Sequence, residues 1–138
     1  MQIEEKIINN ELQLIELIKN GVNLFDYIKN EKDIDFVSSA IAHINKSEDP
    51  FLDDAAEILI KSFIYYLLSK DGEIKSLKRC KEMVELGLDE NNGREKITAM
   101  ISCDEISAML FKHAEIATDR TFKGIFETLD NKLNEILK

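Results

Sequence analysis

Hydrophobic residues recur at helical spacing along nearly the whole chain. Ile3, Ile7, Ile8, Leu12, Ile15 and Ile18 form one such series, and Gly21 is placed to cap it. Residues 21–28 read as a connector with room for one helical turn. A helix is expected after Asp33, taken as its N-cap, with Ile34, Val37, Ala40, Ile41 and Ile44 as its stripe. The segment from about Pro50 to Ser69 differs, because apolar residues occupy almost every side of it between Ile58 and Leu68. A helix apolar all round is buried all round, so this one is predicted to lie at the centre of the fold. Pro50, the only proline, suits its first turn through a fixed φ and a missing N–H. Glu48, Asp49, Asp53 and Asp54 cluster at the same start, where carboxylates complement the helix dipole.

Asp71-Gly72 breaks the periodicity, and Ser76 is then expected to cap a helix carrying Leu77, Cys80, Met83 and Val84 and ended by Gly87. After a polar loop over 89–93, a short helix carries Ile97, Met100 and Ile101. Asp104 is a candidate cap for the next, with Ile106, Met109, Leu110, Ala114 and Ala117 on one face. Thr118 is expected to cap the last, whose stripe of Phe122, Ile125, Phe126, Leu129, Leu133, Ile136 and Leu137 matches the i, i+3, i+4, i+7 template most cleanly. No repeat, low-complexity tract or boundary interrupts the chain. The prediction is a single all-α domain over 1–138, an irregular multi-helix bundle of about six to seven helices around a buried central helix, with 1–20 as an added N-terminal helix.

Composition narrows the function more than the fold. A chain of 138 residues can bury a core without staples, and its 5 Gly and 1 Pro are too few for an all-β fold. Against 18 basic residues stand 27 acidic ones, a net charge of −9 that lacks the basic footprint of a general nucleic-acid binder. Solubility alone is the competing explanation of that charge. Cys80 and Cys103 have no metal-like spacing and are expected to be reduced and packed as small hydrophobes. The acidic start Met1–Glu5 is unlike a signal peptide, and no apolar run reaches the roughly 18–20 residues that span a bilayer, so a cytoplasmic location is expected.

No glycine pair has the Gly-x-x-x-x-Gly-Lys spacing of a phosphate cradle. Counting from Gly72 or Gly93 puts Leu67 or Leu88 where an EF-hand needs its first ligand, and Lys78 or Ala99 where it needs its glutamate. His43 and His113 have no ligand-like pairing, Tyr65-Tyr66 read as core, and Cys103 has no nearby histidine to activate it. The chain is expected to be no enzyme, with no catalytic, metal or cofactor residue assigned. Three binding features remain. Lys75, Lys78 and Arg79, with Lys81 close by, fall on one helical face as a possible DNA-backbone contact, against the competing reading of a solvated face. Glu48, Asp49, Asp53 and Asp54, and separately Asp89 with Glu90, are candidate contacts for a basic partner. For Asp53 and Asp54, helix-dipole stabilisation is the competing reading.

Three short blocks also carry a resemblance. Asn23-Leu24-Phe25-Asp26-Tyr27-Ile28 is similar to an Asn-Pro-(Phe/Leu)-x-x-Ile segment, Asp49-Pro50-Phe51-Leu52-Asp53-Asp54-Ala55-Ala56 to (Asp/Asn)-Pro-Phe-Trp-x-x-Ala, and Thr121-Phe122-Lys123-Gly124-Ile125 to Thr-x-x-(Ser/Gly)-Ile. In that order and spacing they resemble the all-α domain of TraG-type type IV coupling proteins, the conjugative DNA-transfer ATPases, over residues 23–138. Leu24 replaces the usual proline and Leu52 the frequent tryptophan, and the Walker motifs of that family lie outside this domain. The resemblance implies a substrate- and relaxosome-recognition (adaptor) domain on the cytoplasmic face of a membrane-anchored motor. Its implied partners are a relaxase, other relaxosome components or secreted substrate proteins, with DNA bound weakly at most, no direct membrane contact, and a monomeric isolated domain. The added N-terminal helix favours a second reading, a stand-alone helical regulatory or protein-binding module encoded on a mobile element.

Overall fold

The computed structural model describes residues 16–44, 46–117 and 122–137, and the stripe over 3–15 and the Thr118 cap lie outside them. The described residues are all helical or loop, with no strand. Residues 16–19 are helical and close on Gly21, whose φ of 83° lets the Gly21 and Val22 amides bond back to the Ile18 and Leu17 carbonyls. A 3₁₀ turn, Leu24–Tyr27, leads to α1 (Glu31–Ala42). The bundle continues through α2 (Pro50–Ser69), α3 (Leu77–Leu88), α4 (Gly93–Ile101), α5 (Glu105–Ala117) and α6 (Phe122–Ile136).

α2 is the centre. α1, α5 and α6 pack along it and α3 touches it, burying Ala55, Ala56, Leu59, Ile60, Phe63, Ile64 and Leu67. The enclosure leaves one open strip, because Asp54 is exposed and Glu57, Ile58, Lys61, Tyr65 and Leu68 are only partly buried. The α2–α5 contact is tied by small polar residues: the Ser62 hydroxyl donates to the Ser107 carbonyl at 2.8 Å and the Ser107 hydroxyl to the Ser62 carbonyl at 2.7 Å. Such reciprocal bonds satisfy groups whose burial would otherwise be unfavourable. Beyond them Phe63, Phe111, Phe122 and Phe126 form an aromatic cluster with ring centroids 4.5–6.3 Å apart.

Local signals set most boundaries, with two corrections. Asn30, rather than Asp33, caps α1: its side chain accepts the Asp33 amide at 3.0 Å, while the Asp33 carboxylate accepts the Lys29 amide at 2.8 Å. This reciprocal arrangement satisfies two amides just before and inside the first turn, which one cap cannot do. Gly87 does not end α3, which runs on to Leu88. It is buried against Phe126, and a Cβ there would overlap that ring. Glycine is used here for close approach, not for a left-handed cap. Ser76 and Asp104 do cap their helices, accepting the Arg79 and Ser107 amides at 3.1 and 2.8 Å, and Asp49, expected only as a surface charge at the helix start, caps α2 by accepting the Phe51 amide at 2.9 Å.

Candidate functional site

The acidic start of α2 is built by three nested contacts. Ser47 and Asp49 form a tight turn in which the Ser47 hydroxyl accepts the Asp49 amide at 3.2 Å and donates to the Asp49 carbonyl at 2.9 Å. The Asp49 carboxylate then caps the helix, so it is a structural group as well as a surface charge. Pro50 occupies the first helical position. The next residue, Phe51, is turned outward and is 75% exposed. Around it Glu48, Asp49 and Asp54 are exposed. Nothing in the helical pattern marks this outward aromatic; the only sequence signal is an apolar residue one turn ahead of Ala55, the first buried apolar position of α2.

Asp53 departs from the expected surface cluster. It is 4% exposed and pairs at 2.9 Å with Lys132 of α6, itself 3% exposed, whose ammonium also donates to the Ile44 carbonyl at 3.0 Å. The Ser47 amide donates to the same carboxylate at 3.1 Å. Burial pushes the Asp53 pKa upward, yet hydrogen bonds from Lys132 and Ser47 outweigh it and hold the group below its ordinary value. Asp53 therefore ties Ser47 and the head of α2 to α6 and is not presented to a partner. Sequence reading missed Lys132, although its position between Leu129 and Leu133 on the apolar side of α6 was a usable signal. A charge set into a buried stripe needs a buried partner.

The other acidic pair stands elsewhere. Asp89 follows α3 and accepts the Asn91 amide at 2.8 Å, and Glu90 is exposed beside it. Both border a cleft shared with Gly87, Arg94 and Phe122 at the start of α6. Since Asp53 meets Lys132, ten residues further along α6, the two acidic clusters are separated by about 15 Å of helix. They are two surfaces.

The expected basic face is not assembled. Lys75 precedes α3, its ammonium donating to the Lys70 carbonyl at 3.3 Å. Arg79 is drawn into a network with Glu73 at 3.1 Å and Glu82 at 3.2 Å, and Lys81 is paired with Asp130 and Glu85. Lys78 alone of the four is exposed, the other three being partly buried. Hydrogen bonding to Glu73 raises the Arg79 pKa, and Arg79 lowers that of Glu73, so each neutralises the other. The same carboxylate accepts the Tyr66 hydroxyl at 2.7 Å. Burial first, then Glu73, pushes that phenol up to about 12. The network locks the 70–75 loop onto the end of α2.

Cys80 is buried, and burial pushes its thiol up to about 12. Cys103 is exposed on the turn before α5, correcting the expectation that both thiols are packed. His43 directs Nδ1 to the Ser39 carbonyl at 2.8 Å and lies 3.7–4.0 Å from Glu57 and Asp54. Among the described residues no group of three or more His, Cys, Asp or Glu could hold a metal ion, and no helix is long and apolar enough to cross a membrane. Comparison with protein-family models, curated proteins and solved structures finds no match to this chain.

Proposed function

We propose that the chain is an acidic protein-recognition module of the kind its sequence resembles, the all-α domain of a conjugative type IV coupling protein. On this reading it works in the cytoplasm by binding, not catalysis, and its partner is a relaxase, a relaxosome component or a secreted substrate protein with a basic contact surface. The observation that carries the reading is Phe51. It lies within the Asp49-Pro50-Phe51 block, is 75% exposed, and is fixed on the first turn of the most deeply embedded helix with carboxylates around it. A large aromatic with only two side-chain torsions to order on binding, carried on a buried helix and rimmed by charge, is the make-up of an interface anchor. The remaining charges, in a net of −9, favour encounter with a basic surface. The ion pairs of Arg79 and Lys81 leave little basic surface for DNA.

The test is binding of the intact chain to a relaxase and relaxosome accessory proteins of a conjugative system, measured by biolayer interferometry. Phe51→Ala is expected to weaken the complex at least ~10-fold, as loss of a central aromatic anchor does, mainly through faster dissociation. Asp54→Lys is expected to slow association and flatten its salt dependence. Affinity and rates unchanged by both substitutions would exclude the Phe51 head as the contact, and no complex with any of these proteins would reject the coupling-protein reading.

A further inference from the structure

At the other end of the open strip on α2 lies a second surface of different character. Ile28, Ile34, Tyr65 and Leu68 form the apolar floor of a groove of about 490 Å³ between the start of α1, the C-terminal half of α2 and the start of α5. That size falls within the roughly 300–1,000 Å³ of ligand clefts. One wall is Ile106, 42% exposed; Met109, 63% exposed, lies outside the lining, one turn further along α5. An elongated occupant that overruns the groove could cover both exposed apolar side chains, which a compact one would not. The rim is acidic: Glu31 and Asp104 border the groove, and Glu105 is exposed next to it. Lys29 also lines the groove and keeps its charge while donating to the Asp26 carbonyl at 3.3 Å, so Glu31, Asp104 and Glu105 outnumber it; Lys61 is paired with Asp35 at 2.9 Å. Tyr65 on the floor registers the resulting field. Burial and then Glu31 and Asp35 raise its pKa, against a smaller opposing effect of Lys61.

We propose that this groove docks a basic amphipathic helix of a partner protein, with apolar side chains entering between Ile34, Tyr65 and Ile106 and Lys or Arg side chains meeting Glu31, Asp104 and Glu105. The charge of the rim selects the occupant. An acidic segment would meet like charge, and so would a second copy of this chain, whose net charge is −9. The recognition mode is helix-in-groove, read by anchors at i, i+3, i+4 and i+7. The groove lies fourteen residues along α2 from Phe51, about 21 Å away, so the two surfaces are independent and either can fail alone.

The probe is a fluorescein-labelled helical peptide of Leu and Lys, about fourteen residues or some 21 Å long, with Leu on one face. A Leu/Glu peptide of the same pattern is its control. Fluorescence anisotropy gives the affinity, and ¹⁵N–¹H shifts give the location. Saturable binding is expected, with shifts centred on Ile34, Tyr65, Leu68 and Ile106. The Ile106→Glu and Met109→Glu variants, both at exposed positions, should bind at least ~10-fold more weakly with unchanged circular dichroism, as should the Leu/Glu peptide. Glu31→Gln should weaken binding about 3-fold, and Phe51→Ala should leave it unchanged. The proposal is overturned by binding that ignores Ile106→Glu and Met109→Glu, by shifts confined to Glu48–Asp54, by equal binding of the Leu/Glu peptide, or by no saturation up to about 1 mM. Sedimentation showing a dimer that Ile106→Glu dissolves would assign the face to self-association instead.

Discussion

Asp53→Asn tests whether the head of α2 is anchored as described. The substitution keeps the shape of the side chain and removes the charge that neutralises Lys132 at 3% exposure. Removing one member of a buried pair typically destabilises by about 3–5 kcal/mol, because the remaining charge stays desolvated. Against a total stability of about 5–15 kcal/mol that is a large fraction. At roughly 2.1 cal/mol/K per residue over 138 residues, the unfolding entropy at Tm makes each kcal/mol worth about 3.4 °C, so the melting temperature should fall by roughly 10–17 °C. The double variant Asp53→Asn with Lys132→Met should recover much of the loss, since no charge is then left buried. The pH dependence has a defined sign. The folded pKa of Asp53 lies below the ordinary 3.8, so its contribution is complete above 3.8 and is lost as pH falls through the lower folded value. Urea melts of both proteins, followed by circular dichroism, should differ most at neutral pH and converge in strong acid. A loss below about 1 kcal/mol at pH 7, or a difference that persists undiminished into strong acid, would refute the buried pair.

Further expectations follow from the core and the caps. Phe63→Ala removes a fully buried ring 6.2 Å from Phe126 and should cost about 3–5 kcal/mol by chemical denaturation. Gly87→Ala forces a Cβ into the Phe126 ring and should destabilise by about 1–3 kcal/mol, where an ordinary helix-interior Gly→Ala change would stabilise. Asp49→Ala should lower stability by about 1 kcal/mol through loss of the cap, whereas Glu48→Ala should stay within about 0.5 kcal/mol, both read from urea midpoints. Ellman's reagent should modify Cys103 in the native protein within the mixing time and reach Cys80 only on unfolding, since Cys80 is buried and its thiol is pushed up to about 12.

The order of the helices and the centrality of Pro50–Ser69 were legible because they depend on short-range rules. Apolar girth marks a helix as central without knowledge of its neighbours, and Ser76 and Asp104 cap through bonds to amides within three residues. Where two local rules competed, the sequence was ambiguous: Asn30 and Asp33 are both good caps, and only their reciprocal bonds decide which begins α1. The surface features depend on residues distant in the chain. Asp53 and Asp54 are equivalent as sequence, one carboxylate beside another in a first turn. Their 100° separation around the helix axis turns one toward Lys132, 79 positions later, and the other to solvent. Gly87 reads as a helix end until Phe126 is brought against it, and Arg79 reads as basic surface until Glu73 folds back over it. Local pattern thus determined which segments are helices and most of their buried faces, but not that of α5, where Ile106 and Met109 of the expected stripe are exposed and Ser107 and Phe111 are buried instead. Which charges remain at the surface was decided by tertiary packing, because a charged side chain is settled by whatever partner the fold places within about 3 Å of it.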